Sequence, residues 1–100
     1  MYIVLLRYTK PLDVVDCSLP EHGEWLARQY QAGHFLASGR QIPRDGGVIL
    51  ARPMRRGQLD ALLATDPLAI RRLVRHEVVE FQATRTAPEL LRVNEAILTT

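Results

Sequence analysis

Two residues of this 100-residue chain have the types and placement that proton transfer needs. His22 falls on the apolar stripe of a helix in which Leu19, His22, Leu26 and Tyr30 recur at spacings of three and four, with Trp25 beside them. An imidazole titrates near neutral pH and acts as general acid or base once a partner fixes its tautomer. Asp66 stands directly before Pro67, an arrangement that starts a helix and lets the carboxylate cap its backbone. Singly, each has a structural explanation, a core histidine and a helix cap. Together they gain weight, because a histidine on the first helix and an aspartate after the second can converge at one end of a domain. There the carboxylate would orient and charge-stabilise the ring.

Ser38-Gly39-Arg40, at the end of the second expected strand, offers a hydroxyl, a backbone position open to close approach and a guanidinium suited to an anion. Its plainer reading is a strand end entering a turn. Arg7, closing the first strand, is a further candidate substrate contact. His34 follows a helix-ending glycine and His76 lies near the start of the last strand, so both read as packing or surface residues. Arg71, Arg72 and Arg75 form a basic cluster of the solvated kind. Cys17 has no base beside it, and three scattered histidines with one cysteine do not have zinc-site spacing. No metal and no cofactor is expected.

The elements that would position these residues follow from periodicity. Tyr2 to Tyr8 is a strand with apolar side chains on both faces, and both faces need cover. Thr9 to Cys17 reads as a loop. Ser18-Leu19-Pro20-Glu21 has the form of a capping box, opening a helix that runs to about Ala32 and stops at Gly33. His34 to Gln41 alternates as a strand, Asp45-Gly46-Gly47 supplies residues that tolerate positive φ, and Val48 to Ala51 completes a hairpin. Leu59 to Thr65 is helical, Asp66-Pro67 starts a short second turn through roughly Leu73, and Val74 to Thr86 is the last strand. From Ala87 a docked helical tail is expected. The order is βαββαβ plus tail in one α+β domain, core 1–86 and tail 87–100.

In an antiparallel sheet with both crossover helices on one side, the second face is bare. Here the first and third strands are apolar in both directions, more than a soluble monomer tolerates, and ten tail residues shield only part of it. A homodimer is the simplest cover.

Composition excludes several classes. Apolar residues make up 47% and charged residues 24%, an ordinary globular balance. Twelve of the 13 basic residues are arginine, which fits an anionic ligand, yet the net charge is only +2. RNA-recognition domains share the βαββαβ order and stack bases on aromatic residues of strands one and three. The third strand here carries no aromatic residue, so nucleic acid is not an expected partner. The N-terminus lacks the features of a secretion signal and no apolar run approaches a membrane span, which points to a cytoplasmic protein with no membrane partner.

The opening strand, His22 followed by Leu26, Gly33-His34-Phe35-Leu36-Ala37-Ser38-Gly39 with its G-x-x-x-x-S-G form, Gly46-Gly47-Val48, and Thr65-Asp66-Pro67 resemble the YciI-like (YCII-related) family over residues 1 to 86. The resemblance implies a ferredoxin-like dimeric α+β barrel in which His22 and Asp66 match a proposed catalytic pair. An activity attributed within the family, removal of chloride from a chlorinated hydroxyquinol-type ring, implies cofactor-free acid/base chemistry on small polar or aromatic molecules. Arg40 stands where the family often has Pro, and Leu68 where an aromatic commonly follows Asp-Pro. The leading expectation is a cofactor-independent enzyme of lyase or isomerase type, with Ser38, Gly39, Arg40 and Arg7 contacting substrate. The rivals are a non-catalytic dimeric binding or accessory module and a cofactorless monooxygenase.

Overall fold

Seven residues, Tyr2–Tyr8, form β1, an inner strand that pairs antiparallel with β3 (Gly46–Ala51) on one side and β4 (Val74–Glu80) on the other. β2 (Phe35–Arg40) pairs antiparallel with β3, giving the order β2-β3-β1-β4 in the computed structural model, which describes residues 1–98. The α+β, ferredoxin-like arrangement is the one the sequence implies. Side-chain alternation divides the sheet as the two-faced pattern requires. Tyr2, Val4 and Leu6 share one face with Ile49 and Ala51, all buried with Trp25, Leu59 and Leu63 from the helices. Ile3, Leu5, Val48, Leu50 and Val79 occupy the other.

The segment expected as a loop after β1 contains one helical turn, α1 (Leu12–Asp16), seeded by Pro11, whose carbonyl accepts from Val14 and Val15 N–H. Val15, fully buried against Leu68 and Leu73, anchors it. A single turn is too short to leave a periodicity. α2 (Leu19–Gln31) follows Ser18 at the N-cap and ends at Gly33 in the left-handed region (φ 77°). The expected capping box is not formed. Ser18 is helical, and its hydroxyl instead accepts from Arg71 at 2.9 Å while Glu21 pairs with the same guanidinium at 2.6 Å. Arg71 thus ties the start of α2 to the end of α4 (Pro67–Ile70).

Between β2 and β3 neither Asp45, Gly46 nor Gly47 takes a positive φ, and the loop carries a cis Ile42–Pro43 peptide. Gly46 is needed for close approach: a Cβ there would lie 1.8 Å from the Leu6 carbonyl oxygen across the β1–β3 ladder. α3 (Arg56–Leu63) begins three residues before the expected Leu59. β4 stops at Glu80 rather than Thr86, because its one neighbour is β1 and β1 has begun by then. The Phe81 N–H donates to the Met1 carbonyl, and beyond it no strand remains to pair among the described residues.

The tail is a kinked 3₁₀ segment (Pro88–Val93) followed by α5 (Glu95–Leu98), capped by the Asn94 side chain on Ala96 and Ile97 N–H. Residues 99 and 100 of the expected tail lie outside the described residues. Met1, Ala83 and Val93 pack with Leu36, Leu50 and Leu90, covering one corner of the open sheet face and leaving Val79 48% exposed. Glu95 accepts from the Met1 ammonium at 2.9 Å and from the Ala83 N–H.

Three substitutions probe this frame. Gly46→Ala is expected to cost roughly 1–3 kcal/mol or more through a backbone clash. Gly57→Ala, whose Cβ meets nothing within 4 Å on α3, should gain about 0.4–1 kcal/mol. Urea midpoints decide both. Burial raises the pKa of Glu95, but the Ala83 N–H and the terminal ammonium outweigh it, leaving the carboxyl below its ordinary value of 4.5. A depressed carboxylate stabilises above its unfolded pKa and loses that contribution as pH falls through the folded one. Acidification should therefore release amide protection at Ala83 before that of β1, and Glu95→Gln should abolish the difference, as read by hydrogen exchange.

Candidate active site

His22 lies on the first turns of α2, one residue after Glu21, and Trp25 lies one turn further along. Trp25, 1% exposed, stacks on the imidazole with ring centres 5.8 Å apart and 25° between planes. The indole N–H donates to Thr65 Oγ1 at 2.8 Å, and that hydroxyl donates to the Leu62 carbonyl at 2.6 Å. One buried aromatic therefore orients the histidine and holds the segment that carries Asp66.

Asp66 is the N-cap of α4, as the sequence implies, and is fully buried. Its Oδ1 accepts from the Leu68 N–H at 3.0 Å and lies 2.8 Å from His22 Nδ1. A carboxylate can only accept, so Nδ1 donates to Asp66, and in the neutral ring this places the lone pair on Nε2. That nitrogen has no hydrogen-bond partner among the described residues. Asp66 Oδ2 is buried and also unpartnered. The two residues, far apart in sequence, thus form the contact that general acid/base work requires, a tautomer fixed by a held carboxylate.

Beside His22 opens a cavity of about 300 Å³, lined by Leu6, Tyr8, Leu19, Leu26, Val48 and Ile49 together with Ser38, Gly39, Arg40 and Gly47. This volume matches the lower end of small-molecule sites, with apolar walls and a few polar groups. β2 runs antiparallel to β3 so that Ser38 faces Ile49 and Arg40 faces Gly47 across the ladder. Arg40 makes no ion pair among the described residues. His22, Ser38, Gly39 and Arg40 therefore meet at one cavity.

Arg7 does not join them. Alternation along β1 puts it on the opposite sheet face, where it pairs with Glu77 at 2.8 Å. His34 bonds Gln29 at 2.8 Å. His76 borders a pocket with Asp60 and Leu63 of α3, its Nε2 buried and without a hydrogen-bond partner among the described residues; burial lowers its pKa against the opposing charges of Asp66 and Asp60. Arg71 is engaged by Ser18 and Glu21, and Cys17 is exposed with its thiol on the Asp13 carbonyl. Among the described residues no cluster of three or more His, Cys, Asp or Glu could hold a metal ion, and no helix is long and apolar enough to cross a membrane. Sequence reasoning missed two residues here, Tyr8 on the cavity wall and Tyr30, whose hydroxyl lies 2.6 Å from Ser38 Oγ. Tyr30 follows His22 and Leu26 at successive spacings of four, a signal read only as packing.

Comparison with known proteins agrees with this architecture. A 5-chloro-2-hydroxyhydroquinone dehydrochlorinase (TftG) from Burkholderia phenoliruptrix AC1100, solved with 2,5-dihydroxybenzoquinone, superposes with a TM-score of 0.67. The match is 14% identical and covers 81% of this chain and 93% of that one, so the likeness is one of fold. No curated protein matches the sequence. The YCII-related domain matches residues 1–82, most of the chain, and this protein belongs to that family.

Proposed function

We propose that this protein is a cofactor-independent enzyme acting by proton transfer on a small, oxygen-bearing aromatic anion, with His22 as base and acid, Asp66 orienting it, and Ser38, Gly39 and Arg40 holding substrate. The observation that carries this reading is the 2.8 Å contact from His22 Nδ1 to a fully buried, backbone-held Asp66 at the edge of a cavity that also holds Arg40.

The chemistry follows from the protonation pattern. His22 Nε2 accepts a proton from an acidic O–H or C–H of the substrate, and Asp66 stabilises the imidazolium that forms. The freed electron pair moves into the ring. It takes up a proton from the imidazolium at another carbon, which is an isomerisation; where that carbon carries chloride, His22 then removes a second hydroxyl proton and the returning electron pair expels chloride to leave a quinone, which is a lyase reaction. Arg40 and the Ser38 hydroxyl balance charge on the substrate oxygen throughout. The fold shared with a dehydrochlorinase makes chlorinated hydroxyhydroquinones the first substrates to try.

His22→Ala is expected to lower chloride release from 5-chloro-2-hydroxyhydroquinone by roughly 10²–10⁴-fold in a protein that still folds cooperatively, at a stability cost of about 1–3 kcal/mol for the partner Asp66 loses. Asp66→Asn can still cap Leu68 but presents the imidazole with a donor or a neutral acceptor, so the rate should fall while the fold persists. Parallel loss of folding and activity in both variants would mark a structural histidine, and tight binding without turnover would mark a binding module.

We also propose that the enzyme is a homodimer formed through the open sheet face. Ile3, Leu5, Val48 and Val79 form an apolar patch that the tail covers only at the Leu50 corner. Leu5→Glu should convert a dimer to a folded monomer in sedimentation experiments, and a wild-type monomer would sink the proposal.

A further inference from the structure

The aromatic row that orients His22 continues to a second polar group. Phe35 meets Trp25 edge-on at 5.5 Å and 65°, and Tyr30 meets Phe35 edge-on at 6.1 Å and 86°. Trp25 and Phe35 are buried, so the row is fixed at its middle and carries His22 at one end and Tyr30 at the other. Tyr30 Oη lies 2.6 Å from Ser38 Oγ, and Ser38 lines the same cavity as His22 and Arg40.

We propose that Tyr30 is a positioning residue for this cavity: its phenol donates to Ser38 Oγ and so turns the serine proton toward an anionic ligand oxygen whose charge Arg40 balances. This rests on the ligand class inferred above and adds how the cavity selects it. A phenol is a stronger acid than an aliphatic alcohol and is the better donor of the two. A serine hydroxyl has one proton and two lone pairs. Accepting from Tyr30 occupies a lone pair, frees the proton and polarises it, since hydrogen bonds in a chain reinforce one another. The reverse direction would commit the serine proton to Tyr30 and present the cavity with lone pairs, which repel an anion. Ser38 thus becomes a donor without a charge of its own, beside the one unpaired guanidinium that lines the cavity among the described residues.

The test is calorimetric titration of wild type, Tyr30→Phe, Ser38→Ala and the double variant with 2,5-dihydroxybenzoquinone, an ionised probe at neutral pH, and with hydroquinone, a neutral one. Tyr30→Phe keeps the ring and its packing. It should weaken the ionised probe by roughly 3- to 10-fold, the value of one net hydrogen bond, and leave hydroquinone unaffected. Ser38→Ala should weaken it at least as much, and adding Tyr30→Phe to Ser38→Ala should change nothing further. Independent losses, equal losses for both probes, or no loss would overturn the proposal. Wild type binding neither probe would instead remove the ligand class proposed above. Neutron diffraction from deuterated crystals then decides: a deuteron on Tyr30 Oη aimed at Ser38 supports the assignment, and one on Ser38 Oγ aimed at Tyr30 overturns it.

Discussion

A single carboxylate oxygen joins α2 to α4 beneath the candidate site. Asp66 Oδ1 accepts from the Leu68 N–H, which starts α4, and meets His22 Nδ1, which belongs to α2. Burial makes this junction strong and demanding at once, since in a poorly polarisable interior a made hydrogen bond is strengthened and an unmade one is costly. The surroundings brace it from several directions. Trp25 packs on the imidazole and bonds the residue before Asp66, and Arg71 clamps the end of α4 to the start of α2. The pair is thereby held by rigid elements rather than by a mobile loop, the arrangement that accurate proton transfer favours.

What the sequence discloses and what it conceals divide along physical lines. β1 was legible to the residue, because an inner strand that is apolar in both directions has a run of residues that little else produces. The α2 end at Gly33 was legible for the same kind of reason, a backbone conformation that glycine adopts freely. Asp66 capping Leu68 was legible from Asp-Pro alone. The end of β4 was not, since it depends on where β1 begins, a fact about a distant segment. The capping box at Ser18 and Glu21 failed because Arg71 competes for both side chains, and local pattern carries no record of that arginine's position. At the candidate site, His22, Ser38 and Arg40 could be picked out by type, whereas Arg7 was misplaced because alternation along β1 sends it to the opposite face. Tyr30 was hidden by its own dual nature, a ring that packs and a hydroxyl that does not need to.

The sheet carries the same division of labour. Its helix-covered face supplies the main core and the cavity wall, Leu6 and Ile49 contributing to both. Its other face is served by the tail only in part, the Glu95 contacts with Met1 and Ala83 pinning the tail at one corner. Val48 lies on that open face and yet borders the cavity as well. β3 is therefore the strand through which anything packed on the open face would be felt by a ligand on the other side.

The buried Oδ2 of Asp66, without a hydrogen-bond partner among the described residues, has an evolutionary consequence. A buried acceptor left unsatisfied costs about 1–3 kcal/mol, against a total stability on the order of 5–15 kcal/mol for a domain. A domain that keeps this oxygen sits closer to its unfolding threshold and tolerates fewer mildly damaging substitutions elsewhere. A descendant that gave this oxygen a donor could instead drift more freely in sequence. The mutational robustness of such a protein is thus set in part by one oxygen far from its surface.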